Sequence, residues 1–259
     1  GYAPTELAGK SFADITLPAD VEGTRVVIAN LRTGATRSER LEKSYVRKDG
    51  GVVRAEVHVV ALGDEHDGSE RLFALVDDVT ERRQTESLLA TRTKQQSALA
   101  LFSQEALRSR DVPALMQRAC ELLRDTLGVE YAKVLELLPG RRGLLLKAGV
   151  GWHDGLVGEA CISSGRDSQA GYTLLSGEPV VVPNLWEEER FCGPPLLFDH
   201  LVTSGMSIQI QGSDESDGPY GVLGVHTKRR RDFSPDDVNF LAGYATVIAA
   251  AVVRSGHEQ

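Results

Sequence analysis

Three cysteines, six histidines and a few acid-rich stretches hold most of the reactive side chains in this chain of 259 residues. His153-Asp154 and Asp199-His200 each set an imidazole beside a carboxylate, the residue types of a general base and its orienting acid. Neighbours on a strand or helix point in different directions, however, so neither pair is a dyad as it stands. Cys161 and Cys192 could approach each other in a fold as attacking and resolving thiols, chemistry that needs an accessible thiolate with a partner within bonding reach. Cys120 instead sits on a helical stripe with leucines. No spacing suits zinc, and no glycine-rich loop is placed to cradle a phosphate. Glu187-Glu188-Glu189 reads as a solvated face. The expectation is a chain without catalytic residues and without a metal site.

Composition sets the frame for those residues. The length suits one large or two ordinary domains, and 41% apolar residues is usual for a globular chain. A net charge of −8 argues against a nucleic-acid partner. The basic cluster Lys228-Arg229-Arg230-Arg231 reads as a solvated strand edge. No apolar run approaches the ~20 residues a membrane span needs, and the first residues carry no secretion leader. Three cysteines, odd in number and far apart, point to a reduced, cytoplasmic location.

One stretch organises the rest. From Asp77 to about Leu107 there is neither Pro nor Gly, and Glu, Gln, Arg, Leu and Ala dominate, which predicts a long helix. A heptad through Thr85, Leu88, Arg92, Gln95, Leu99, Phe102 and Ala106 makes a seam with polar residues near its centre. Such a seam predicts loose parallel pairing with the same helix of a second chain, hence a homodimer.

Before that helix, short helical turns lead into a helix over Ala19 to Leu31, closed at Thr33-Gly34. The pattern then turns to period two: Leu41, Lys43, Tyr45 and Arg47 share one face, Asp49-Gly50 signals a hairpin, and Val53, Ala55, Val57 and Val59 line a second strand. A polar loop, GDEHDGSE, leads to a third, RLFALVDDV. GYAPTELAGKSFADI, then a helix, then YVRKDGG, then the exit Asp78-Val79-Thr80-Glu81-Arg82 resembles the second half of a PAS domain, over residues 1–86. The family's first two strands have no counterpart here, so its sheet edge is expected to need another partner. The resemblance carries no flavin signature, since no cysteine precedes Cys120. It carries no haem signature either, since the helix over Ala19 to Leu31 has no His.

After Arg110, Asp111 caps a helix whose stripe is Leu115, Met116, Ala119, Leu122 and Leu123. Strands, a small-residue loop and an irregular segment from Leu185 to Val202 follow. A last helix opens at Ser234-Pro235-Asp236-Asp237 with cap, proline and acids in place. GLVGEACISSGRDSQAGYTLLSGEPVVVPNL, Gly221-Val222-Leu223-Gly224-Val225 and Phe233-Ser234-Pro235-Asp236-Asp237 resemble a GAF domain, over residues 97–255. The implied architecture is α+β: two domains, each a central antiparallel sheet flanked by helices, joined by a signalling helix over 80–110.

The resemblance places a ligand pocket between the sheet and the irregular segment, with Tyr172, Trp186, Phe191, Phe198, His200, Met206 and Ile208 as candidate lining. No bilin signature accompanies it, because Cys192 is followed by Gly193 rather than His. The nucleotide-binding pattern is also incomplete. The expected function is a non-catalytic sensory module that binds an unidentified small ligand and acts through a dimeric helix centred on Leu88, Arg92, Gln95, Leu99 and Phe102. Its expected partner is a downstream effector, most often a histidine kinase in such proteins and less often a diguanylate cyclase. Asp78 and Thr80 would form the exit from the first domain. The alternatives are a dimerisation scaffold without a ligand, or a GAF-type reductase of free methionine sulfoxide that uses Cys161 and Cys192.

Overall fold

The computed structural model describes residues 1–63, 70–212 and 218–257. The polar loop expected before the third strand lies largely outside them. The chain folds as two units, Gly1–Ala90 and Thr91–Gln259.

In the first unit, two one-turn helices, α1 (Pro4–Leu7) and α2 (Phe12–Ile15), precede α3 (Pro18–Arg32). Ser11 and Asp14 close a capping box at α2. Strands β1 (Ser38–Val46), β2 (Val52–Gly63) and β3 (Glu70–Asp78) form an antiparallel meander in the order β1-β2-β3. The first hairpin turns at Asp49-Gly50, where Gly50 takes φ 83°, a conformation that costs glycine nothing. Leu31 of α3 meets Ala55, Val57 and Val59 in a small core, and His58 points away from it as the alternation requires. Phe73, Leu75 and Val76 on β3 stay exposed. At the exit, the Asp78 carboxylate accepts from the Thr80 N–H, and Thr80 Oγ1 accepts from the Arg54 N–H at 2.9 Å. The Thr80 contacts, with Arg47 nearby, hold the Asp78 carboxyl below its usual pKa.

The exit leads into α4 (Thr80–Arg108), which crosses the boundary between the units. Then come α5 (Val112–Leu127), β4 (Tyr131–Leu137), β5 (Leu144–Val150), the short β6 (Cys161–Ile162), α6 (Gln169–Ser176), β7 (Val180–Val182), α7 (Pro195–Asp199), β8 (Ser204–Ile210), β9 (Gly221–Thr227) and α8 (Pro235–His257). The strands make one antiparallel sheet in the order β6-β5-β4-β9-β8-β7. The whole is α+β.

Two cores lie on the two faces of this sheet. On one, α5, α8 and the second half of α4 bury Phe102, Met116, Leu123, Tyr244 and Ile248 against Val134, Val150, Met206 and Val225. On the other, α6, α7 and the connecting segments cover Leu135, Leu144, Leu146, Val180 and Val222. α8 is long and apolar enough to cross a membrane, with 22 residues at mean hydropathy 1.4, which corrects the expectation that no run would qualify. Its apolar residues have another use: Phe240, Leu241, Tyr244, Ile248 and Ala251 are packed into the core.

The seam on α4 also meets a different partner from the one expected. Arg92 pairs with Asp236 at 2.7 Å, and Gln95 Nε2 donates to Asp237 at 3.0 Å. Leu99 lies over Gly243, and Phe102 stacks on Tyr244 with centroids 4.5 Å apart. The pairing is parallel and is made with α8 of the same chain. An apolar stripe states that a partner is needed and says nothing about which helix supplies it. The "loose" centre is satisfied because Arg92 and Gln95 find acids at the α8 N-terminus, where acids are also favoured by the helix dipole. Leu88 stays 48% exposed.

Candidate functional site

The second unit contains a cavity of about 510 Å³, bounded by the segment after β5, by β6, by the start of α6 and by the residues around α7. Leu156, Ile162 and Leu196 give it apolar walls, and Asp154, Asp167 and Asp199 give it negative charge. His153, His200, Cys161 and Cys192 complete the reactive lining.

Each wall follows from local chain chemistry. Gly151 turns the chain out of β5 at φ 85°, where a Cβ would collide with the Glu130 carbonyl. That turn carries Trp152 back over the sheet and His153 to the rim. Ser168 caps α6 by accepting from the Gly171 N–H, while its own hydroxyl donates to the Ser163 carbonyl at 2.7 Å, tying the helix to the loop before it. Asp167 is held by Ser163 Oγ at 2.6 Å. Gly193 leaves room for the Phe198 ring, which a Cβ would strike.

His200 is the best-defined polar group. It is 3% exposed, its Nε2 accepts from the His153 N–H at 2.9 Å, and its Nδ1 lies 2.8 Å from the Leu196 carbonyl. Those partners fix the neutral tautomer with the proton on Nδ1. The His153 and His200 rings face each other at 4.0 Å. Tyr131 donates to the His200 carbonyl at 3.0 Å, and Trp152 donates to the Ala132 carbonyl at 2.8 Å. The two histidines that looked unusable within their own adjacent pairs thus meet each other across the cavity rim. That meeting depends on the turn at Gly151 and the placement of α7, and no local spacing announces it.

Among the seven candidate lining residues, His200 reaches this cavity. Tyr172 and Phe191 pack together at 5.5 Å beneath the Arg190 guanidinium, and Phe198 meets Trp186 at 5.0 Å. Trp186 is 62% exposed. Met206 and Ile208 point to the opposite face, into the core with α8. The reason is the strand period: on β8, Ser207 faces the cavity side and its neighbours cannot. Cys161 and Cys192, both exposed, do share the cavity lining, whereas Cys120 is wholly buried and its thiol is pushed up in pKa by desolvation. Among the described residues no cluster of His, Cys, Asp or Glu could hold a metal ion.

This fold has known relatives. The family model for the GAF domain matches residues 111–252, and the chain belongs to that family. Among curated proteins, the chain is similar to the probable diguanylate cyclase DgcE of Escherichia coli, 32% identical over 89 residues. That match covers 34% of this chain, which spans only 8% of the relative's length. Among solved structures, the GAF domain of an Acinetobacter phosphoenolpyruvate-protein phosphotransferase superposes with TM-score 0.56 at 20% identity, covering 64% of this chain and 96% of that one. The free methionine-R-sulfoxide reductase of Neisseria meningitidis gives 0.54 at 15%, covering 63% and 90%. The chromophore-binding domain of the bacteriophytochrome RpBphP3 of R. palustris gives 0.50 at 16%, covering 99% of this chain and 86% of that one. At these identities the likeness is one of fold.

Proposed function

We propose that this chain is the sensory module of a signal-transduction protein, in which the GAF unit binds a small ligand and α4 relays its presence. The carrying observation is the cavity of about 510 Å³, a size suited to a small organic molecule, with a fixed neutral imidazole, carboxylates and an apolar wall converging on it. The first unit acts as a PAS-like input, a reading supported by its β-meander, its covering helix and its Asp78-Thr80 exit into α4. The exposed apolar residues of β3 suit an edge that takes a further strand. The effector would be a histidine kinase or a diguanylate cyclase. Self-association would use the 81–90 part of α4, where Leu88 and Leu89 are uncovered, because the seam further along is occupied by α8.

The relay would run through the α4–α8 pairing, since a ligand that shifts the sheet's packing biases the helices against it. A thermal-shift screen of the full chain against a metabolite library tests the binding. A ligand that raises the melting temperature of the wild type but not of Asp154→Asn or Asp199→Asn supports the reading. A library without such a ligand contradicts it.

A second reading is favoured by the shared position of Cys161 and Cys192. A thiol-dependent reductase would pass two electrons and two protons from this pair to methionine sulfoxide, leaving a disulfide, methionine and water. Turnover lost in Cys161→Ser and in Cys192→Ser would establish it, and absence of turnover in the reduced wild type removes it.

A further inference from the structure

Behind the cavity, on the same face of the sheet, lies a second polar cluster. Lys133 on β4 is 2% exposed and His226 on β9 is fully buried. Among the described residues Lys133 has no hydrogen-bond or ion-pair partner, and its Nζ rests 5.3 Å over the Trp152 ring. Both ring nitrogens of His226 are buried without a partner. Native proteins rarely leave such groups unmet, because a buried polar atom without a bond costs about 1–3 kcal/mol and a buried charge more.

The sheet makes room for these side chains. A Cβ on Gly205 would strike His226 Nδ1, one on Gly149 would strike Trp152, and one on Gly224 would crowd His226 Nε2. The Trp152 and His226 rings therefore lie close against glycines of the sheet, with Lys133 beside them. The Trp152 ring stands between the pair and the cavity, meeting His200 at 5.0 Å and His226 at 6.0 Å. Both unmet groups carry nitrogen and stand ready as donors, and the acceptor they lack is an anionic oxygen.

We propose that Lys133 and His226 form a binding site for a small monocarboxylate, reached from the cavity past Trp152. A monoanion is the matching charge. One ammonium balances one carboxylate, whereas a phosphate dianion would leave a net charge in a dry, aromatic setting. The carboxylate oxygens take the Lys133 ammonium and the single N–H of neutral His226. This inference concerns a site separate from the cavity lining, so it stands or fails independently of the metabolite screen.

Proton linkage gives it a signature. Burial lowers the Lys133 pKa to about 7. The other titratable group against it is His226, held neutral by burial and by Lys133 itself, with His200 beyond Trp152. A carboxylate binds the protonated amine, so binding above that pH takes up a proton, and affinity falls as pH rises, tending to tenfold per unit.

The test uses the full chain carrying Trp186→Phe, so that Trp152 alone reports by fluorescence, with acetate, pyruvate and inorganic phosphate as probes. The expected result is a saturable change with acetate or pyruvate and none with phosphate. Its midpoint should weaken about tenfold per pH unit above pH 8, and the change should vanish in Lys133→Met but persist in Lys228→Met. Calorimetry in two buffers of different ionisation enthalpy should show proton uptake by the chain with Lys133 intact, which decides the matter even if Lys133→Met fails to fold. No saturable response to either carboxylate, an equal response to phosphate, a response retained in Lys133→Met, or binding without proton uptake would each overturn the proposal.

Discussion

The two faces of the GAF sheet are built to opposite rules. On the face toward α5 and α8, consecutive inward positions are Ala132, Val134, Met206, Leu223 and Val225, and the covering helices answer with Met116, Leu123, Leu241 and Ile248. On the face toward α6 and α7, the same strands turn in Tyr131, Lys133, Ser207 and His226, and the covering chain answers with Gln169, Thr173, Trp152 and His200. Some of these polar groups are met: Gln169 Nε2 donates to Ser207 Oγ at 3.0 Å, and Thr173 Oγ1 lies 2.8 Å from it. The two ring nitrogens of His226 are not, and burial with no opposing charge is what lowers the Lys133 pKa. The first face is almost wholly apolar, with the Tyr244 hydroxyl as its one buried group without a partner among the described residues. The second combines an apolar core with buried polar side chains, and under the proposal above Lys133 and His226 give up stability there for a ligand.

Substitutions on the two faces should therefore differ in sign as well as size. The largest loss falls on the apolar side. Phe102→Ala removes the ring stacked on Tyr244 and fully buried between α4 and α8, and should cost about 3–5 kcal/mol by denaturant unfolding of the second unit. A cost below ~1 kcal/mol would mean that α4 does not rely on α8. Gln95→Leu should cost about 1 kcal/mol, because Asp237 loses one donor but keeps Arg231 and the Ser234 N–H. This reverses what a seam between two chains would show, where leucine tightens the pairing. Analytical ultracentrifugation of Gln95→Leu should accordingly show no gain in association. Arg92→Leu should change stability by less, about 0–1 kcal/mol, since its ion pair with Asp236 is half in solvent. Tyr244→Phe should be neutral or slightly stabilising, as the lost hydroxyl is buried without a partner.

Much of the apolar face was legible in the sequence. The stripes of Leu115, Met116, Ala119 and Leu123 and of Leu241, Ala245 and Ile248, the Asp111 and Ser234 caps and the Gly128 stop are local signals, and the helices lie where those signals put them. The cavity face was less so. His153 and His200 are far apart in sequence and meet through a glycine turn and a one-turn helix, features that periodicity does not register. Aromatic content suggested Trp186 and Phe198, yet these pack on each other at the edge. Met206 and Ile208 lie on the other side of β8 from the cavity, because alternation fixes which residues share a face without fixing which face holds the site. A usable signal did exist. Lys133 and His226 sit between Ala132, Val134, Val225 and other strand residues in runs too apolar to surface at every second position. A charged residue inside such a run marks the face where the interior is polar.

The melting temperature of Lys133→Met against wild type, followed from pH 6 to pH 10, tests this division of labour most directly. The folded chain holds Lys133 at a pKa of about 7, against an ordinary lysine value of 10.5, so it binds fewer protons than the unfolded chain in that window. Wild-type stability should therefore rise with pH from about 7 towards 10, and fall below pH 6.5 as His226 resists protonation. Lys133→Met should melt about 5 °C or more above wild type at pH 7, with the two curves converging as the pH approaches 10. A variant that melts lower than wild type throughout, with an unchanged pH profile, would show that the lysine is stably partnered and that the cavity face gives up nothing for a ligand.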